Sequence, residues 1–289
     1  MTTTILHISD THFGTEQPLV LEALENHVQE HGADILVLSG DITQRARRAQ
    51  FEAGQAYVQR LESHGIPTTL VIPGNHDIPL YNLFARFTAP YANYKQHFGE
   101  NLEPLFENDQ LLIIGLNTTH PTRRKDGAVT PKQVERVAER LIRTPAHKLR
   151  IVVAHQPFGA MEMSDLSNLQ GGAEEALSIW ADAGLDLVMG GHIHLPYVLP
   201  LRNQYPDLSR EVWIVQAGTT LSSRLRGTAP NSFNRLTLTD TAHKCVDVER
   251  WDFIEGCFVV AERFMLSWHS NKEALETERH EVLIPGGQQ

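Results

Sequence analysis

Short apolar runs alternate with helical patterns through the first two-thirds of the chain. Residues 5–9 (ILHIS), 35–39 (ILVLS), 68–72 (TTLVI), 111–116 (LLIIGL), 151–155 (IVVAH) and 187–190 (LVMG) read as strands. Between them, apolar residues at helical spacing predict helices over 19–30, 49–64 and 173–183. A further helix opens at Thr130-Pro131, as N-cap and first helical residue, and runs to about Ile142. Residues 80–98 read as helical with a break near Pro90. Strands that are continuously apolar and separated by helices belong in a sheet covered on both faces. After Gly190 the pattern changes. YVLPL, VWIVQAG, NRLTLT, KCVDVERW and GCFVVAERF read as strands joined by turns, so a mainly antiparallel section over 197–265 closes the fold. The expected organisation is one domain over 1–269, then a polar tail over 270–289.

Composition narrows the class without naming a function. The 289 residues are 41% hydrophobic and 21% charged, as in a soluble globular protein. A formal charge of −10 argues against an extended surface for nucleic acid or anionic membrane. No run approaches the ~20 apolar residues of a spanning helix, and MTTT passes straight into the first strand without a leader pattern, so a cytoplasmic setting is expected. The two cysteines, Cys245 and Cys257, make neither a disulfide framework nor a thiolate metal site. Histidine, at 15, is the unusual count, and it is a common metal ligand.

The strand ends carry the chemistry. The first delivers Asp10 and His12, the second Asp41, the third Asn75-His76-Asp77, the next His155, and LVMGG delivers His192 and His194. In an open α/β sheet these carboxyl ends converge on one rim, where ligands bind. The alternate spacing of Asp10 and His12, and of His192 and His194, aims each pair the same way if the chain stays extended there. One aspartate after a strand is usually a turn residue, and one histidine is usually a packed or surface group. Their joint recurrence is the specific signal. Carboxylates, imidazoles and an amide without a thiolate suit two borderline ions such as Mn, Fe or Zn. Two ions ~3.5–4 Å apart clamp the attacking and leaving oxygens of a phosphoryl displacement.

D-x-H, G-D, G-N-H-D, a lone H and G-H-x-H, in that order between Asp10 and His194, resemble the calcineurin-like metallophosphoesterase superfamily. HISDTHFG and GNHD are most similar to the bacterial class III cyclic-nucleotide and glycerophosphodiester phosphodiesterases. The resemblance implies a two-sheet β sandwich flanked by helices, an α/β/β/α fold with mixed sheets and antiparallel C-terminal strands. It implies that Asp10, His12 and His194 hold one metal, that Asn75, His155 and His192 hold a second, and that Asp41 bridges them. His76 then faces the substrate phosphate, and Asp77 orients His76 through a hydrogen bond. The cofactors implied are two metal ions, Mn or Fe first and Zn as the alternative. The reaction implied is hydrolysis of a small or medium phosphodiester by in-line attack of a hydroxide bridging the ions. A phosphomonoesterase or a DNA exonuclease using the same site are the alternatives. A non-catalytic scaffold ranks last, because every ligand position is filled.

Three basic clusters could select substrate: Arg45, Arg47 and Arg48; Arg123, Arg124 and Lys125; Arg224 and Arg226. Each alone reads more readily as a solvated face, and Arg224 and Arg226 stand out because AGTT beside them leaves a strand. His120 follows a strand and is a further substrate-binding candidate. Phe84, Phe87, Tyr91, Tyr94 and Phe98 could form a lid, but their helical spacing favours core packing. The C-terminal sheet leaves a homo-oligomer open.

Overall fold

Each apolar strand turns alternate side chains to opposite sides, so a strand buried on both faces must supply two cores. That is how the computed structural model is built; residues 2–240 and 244–268 are described, and the expectations for the 269 boundary and the 270–289 tail lie outside them. One sheet contains β1 (Thr3–Ile8), β2 (Ile35–Leu38) and β3 (Thr68–Val71), which are parallel. It continues through β10 (Ser232–Asp240), β11 (Cys245–Ile254) and β12 (Cys257–Leu266), in the order β12-β11-β10-β1-β2-β3. The other contains β4 (Leu105–Glu107), β5 (Leu111–Leu116), β6 (Leu149–Ala154), β7 (Leu187–Gly190), β8 (Tyr197–Pro200) and β9 (Trp213–Gln216), in the order β4-β5-β6-β7-β9-β8.

The sheets face each other across a core in which Ile5, Ile35, Val37 and Leu70 of the first meet Ile113, Ile151, Val153 and Met189 of the second. The intervening residues point outward to the helices. Leu6, Ile8, Leu36 and Leu38 pack under α1 (Pro18–His31), α2 (Arg48–Ser63) and α4 (Ala92–Phe98). Leu112, Ile114, Val152 and Val188 pack under α5 (Pro131–Arg143) and α6 (Ala173–Asp182), with Trp180 fully buried among them. The result is the four-layer helix–sheet–sheet–helix sandwich expected, with both sheets mixed and β10, β11 and β12 antiparallel. Thr130 caps α5 as predicted, its hydroxyl accepting from the Gln133 amide while the Gln133 side chain accepts from the Thr130 amide.

Several details differ from expectation. β9, in the section read as mainly antiparallel, runs parallel to β7. β4, three residues long, is too short to carry a period and was not predicted. Residues 80–98 form two short helices, α3 (Leu83–Thr88) and α4, separated around Pro90. Tyr94 is buried, and Tyr91 and Phe98 pack against the same core, but Phe84 and Phe87 are exposed. The core-packing expectation fails for those two because the buried residue of α3 is Arg86.

Candidate metal centre

β1, β2 and β3 of one sheet and β6 and β7 of the other end at the same edge of the sandwich, where their loops are tied together across the sheet interface. The Asp10 amide donates to the Gly40 carbonyl (3.1 Å) and the His12 amide to the Asp41 carbonyl (3.0 Å). Between sheets, His155 Nδ1 donates to the Ser39 carbonyl (2.9 Å) and the His192 amide to Asp10 Oδ2 (2.8 Å). Glycine at 74 lets the third loop press on the second: a Cβ there would lie 2.1 Å from the Asp41 nitrogen.

Asp10 and His12, and His192 and His194, do not lie on extended chain as expected. Both pairs and Asp41 adopt left-handed backbone, with φ of 51°, 43°, 74°, 58° and 50°. They are five of the eight non-glycine residues with positive φ among the described residues. The chain turns back at each, and the turns converge the side chains. Such strain persists only where the surroundings over-determine it, and it gathers at functional sites.

Three overlapping groups of side chains result, one of them His12, Asp41 and His76. In another, His194 Nε2 lies 3.2 Å from Asp10 Oδ1 and 3.1 Å from His12 Nε2. In the third, Asp41, His155 and His192 bring one ligand atom each within 4.8 Å of the others. Asp41 looks both ways: Oδ1 lies 3.3 Å from His155 Nε2, and Oδ2 lies 3.7 Å from His12 Nε2. Asp10 Oδ1, Asn75 Oδ1 and His155 Nε2 are buried with no hydrogen-bond partner. Orphaned buried polar atoms are costly; a cation would satisfy the two oxygens directly, and His155 Nε2 by displacing its proton. The donor set therefore fits divalent metal ions.

The imidazoles are fixed from behind. His155 Nδ1 is held by Ser39, His194 Nδ1 by the Arg224 carbonyl and His76 Nδ1 by the Gln44 carbonyl (2.9 Å), which leaves each Nε2 for the centre. Burial disfavours charge on His155, but the adjacent Asp41 carboxylate outweighs it and lifts its pKa to about 9. His192, buried and beside His155, drops to about 4. For Asp10, burial is overcome by His194 and His12, which hold the carboxyl well below its usual range.

The other predicted residues divide sharply. His76 sits at the mouth with its amide donating to Asp41 Oδ1 (2.7 Å). Asp77 does not touch the His76 ring, contrary to expectation, because its carboxylate is committed to backbone: it accepts from the amides of Ile42, Thr43 and Gly74 and from the Thr43 hydroxyl. It positions the loops rather than the imidazole. Arg224 enters the centre, its Nη1 lying 3.2 Å from His76 Nε2 and 3.2 Å from Gln44 Oε1. Arg226 does not. Its guanidinium is paired with Asp165 (2.7 Å) and Glu162 (2.8 Å), which clamps it to the neighbouring loop. His120 is exposed outside the centre, its Nδ1 turned to the Thr122 hydroxyl. Gln44 went unnoticed in the sequence; its place three residues after Asp41 was the only signal. A cleft of about 720 Å³ is lined by Asn75 and His76 together with Arg123, Arg124 and Lys125.

A helix-flanked double sheet whose rim gathers histidine–carboxylate groups around a shared aspartate defines a metal-dependent phosphoesterase. The chain belongs to the calcineurin-like phosphoesterase family, which it matches over residues 3–196. It is 26% identical over 211 residues to a "probable cyclic nucleotide phosphodiesterase" of Synechococcus sp., covering 68% of this chain and 76% of that one. In structure it is similar to a dimetal phosphatase from Danio rerio (TM-score 0.65, 12% identity, 92% of this chain and 99% of the other). It is similar also to the purple acid phosphatase PPD1 of yellow lupin (TM-score 0.68, 15% identity), where 92% of this chain spans about half, 54%, of the lupin protein. Among the described residues no helix is long and apolar enough to cross a membrane.

Proposed function

We propose that the protein is a phosphodiesterase that hydrolyses a small phosphodiester with two divalent ions. One would be held by Asp10, His12 and His194, the other by Asn75, His155 and His192, with Asp41 shared. The reading is carried by Asp41, whose two oxygens face a histidine group on either side. When bound, such a pair of ions acidifies water and neutralises charge building on the phosphoryl oxygens. Histidine, carboxylate and amide donors without a thiolate suit Mn, Fe or Zn, of which we place Mn and Fe first.

The chain's own groups do the remainder. Arg224 Nη1 reaches His76 Nε2 at 3.2 Å, which puts the guanidinium where it would grip the non-bridging phosphoryl oxygens. With its Nδ1 held by the Gln44 carbonyl, His76 presents Nε2 to the site, and in its imidazolium form it would give the Nε2 proton to the departing alkoxide and be left neutral. Similarity to the probable cyclic nucleotide phosphodiesterase of Synechococcus sp. supports a diester, and the net charge of −10 favours a small substrate over nucleic acid. A cytoplasmic setting fits the low cysteine content, two in 289 residues.

The test loads the protein with Mn, counts ions per chain, and compares bis(p-nitrophenyl) phosphate, p-nitrophenyl phosphate and single-stranded DNA. The diester should turn over fastest. A two-ion protein inert to it, or one that prefers the monoester, overturns the proposal. His76→Ala should lose turnover while keeping both ions.

A further inference from the structure

On sequence alone, Arg123, Arg124 and Lys125 read more readily as a solvated face. Their surroundings argue otherwise. They line the same cleft as Asn75 and His76, together with Arg45, so its lining holds four cations and a single carboxylate, that of Asp126. In a chain of net charge −10 this is a local reversal of sign. Among the described residues none of the four pairs with a carboxylate: Arg45 rests on Tyr81 and Lys125 reaches the Asn168 amide oxygen (3.3 Å). By contrast, Arg226, Arg210 and Arg140 all have acidic partners.

The loop that carries them is built. Arg86, 4% exposed, donates to the carbonyls of Pro121 (2.6 Å) and Arg123 (2.7 Å) on this loop and to Pro79 (3.0 Å), just beyond the Asn75–Asp77 turn. One buried guanidinium thus ties the basic wall of the cleft to the segment that carries His76. The fully buried Gln156 donates to the Lys125 carbonyl (3.1 Å) and accepts from Thr118 (2.8 Å). Cations left unpaired on a backbone pinned at both ends are arranged for an anion, because a purely solvated loop needs no such anchoring. The lining also includes Ile78 and Leu80, apolar residues suited to a ring or sugar face. A volume of about 720 Å³ admits a nucleoside-sized group.

We propose that this cleft is a second anion subsite, and that the substrate is a phosphodiester carrying a further phosphate beyond the scissile one, across a spacer of roughly nucleoside size. The proposal rests on the phosphodiesterase reading for the position of the scissile phosphate. The shared chemistry, two phosphates on one spacer, occurs in phosphorylated dinucleotides and in phosphorylated glycerophosphoinositols.

The test measures equilibrium binding and turnover by the metal-loaded protein for two matched pairs. These are ApA against pApA, which adds a 5′-phosphate, and glycerophosphoinositol against its 4-phosphate. The added phosphate should tighten binding by about tenfold, as one or two charge-assisted contacts would. A gain confined to one pair identifies the spacer. In Arg123→Ala/Arg124→Ala/Lys125→Ala the ratio within that pair should fall to about one. A wild-type ratio near one in both pairs overturns the subsite, and that comparison needs no variant. A preserved ratio in the triple variant overturns it as well. Should the ratio appear without turnover of any diester, the subsite stands and the phosphodiesterase reading fails; turnover with a flat ratio is the reverse.

Discussion

Gly74→Ala tests how tightly the rim is assembled. The added methyl would lie 2.1 Å from the Asp41 nitrogen, 2.2 Å from Asp41 Oδ1 and 2.8 Å from Asp41 Cα. Since ordinary contact begins near 3.4 Å, the two loops would have to part by more than 1 Å. Neither can yield freely, because Asp77 joins them through Ile42, Thr43 and Gly74 at 2.9–3.1 Å. Overpacking of this kind costs about 1–3 kcal/mol, and weakening even one of those bonds to a buried carboxylate adds about 1 kcal/mol. A loss of about 3 kcal/mol is therefore expected in urea unfolding of the metal-free protein. The same shift would carry Asp41 away from His155, so retention of ions after dialysis against Mn should fall below that of the wild type. Gly32→Ala is the control: its φ of 60° strains an alanine, yet nothing lies within 4 Å. It should cost about 1–2 kcal/mol with ion content unchanged. A Gly74→Ala protein with wild-type stability and ion content would refute the reasoning, as would equal loss of ions in the control.

Arg224→Ala should lower kcat/KM for an aryl phosphodiester by roughly 10²-fold while both ions stay bound; wild-type kinetics would remove Arg224 from the site. Asp186 is buried and takes hydrogen bonds from Arg210 (2.6 Å), Lys244 (2.7 Å) and the Arg150 amide (2.9 Å), so Asp186→Ala strands charge in the core. About 3–5 kcal/mol should be lost in chemical denaturation, and a change under 1 kcal/mol would show the cluster to be hydrated. Burial, then His31 and Arg235, lower the His27 pKa to about 3, so the folded protein resists a proton that the unfolded chain takes up near 6.5. This contribution is complete above about pH 6.5 and is lost as pH falls toward 3. At pH 5 the loss is at most about 2 kcal/mol, nearer 1 after solvent screening. His27→Leu should flatten the acid limb of the stability curve by that amount, and an unchanged limb would contradict it.

Much of this was legible because the two-faced strands are continuously apolar. ILHIS, ILVLS and IVVA could only be central strands, and their order fixed which polar residues would share a rim. What stayed hidden was decided by contacts distant in sequence. Asp77 looked like a partner for the adjacent His76, but the amides of Ile42 and Thr43 compete for it and win. Arg224 and Arg226 are equivalent on paper, yet Asp165 and Glu162 capture only the second. Phe84 and Phe87 have core spacing, but their helix has six residues and turns a cation inward. Arg86 itself gave no sign, since its partners are backbone carbonyls that any residue could supply.

The left-handed backbone at Asp10, His12, Asp41, His192 and His194 sets robustness against chemistry. At about 1 kcal/mol apiece it amounts to on the order of 5 kcal/mol held in reserve by the rest of the sandwich. Directed evolution that rewards heat resistance alone should therefore drift toward glycine or asparagine at these five codons, yielding sturdier proteins that no longer work. A screen intended to toughen this scaffold has to hold all five fixed from the first round.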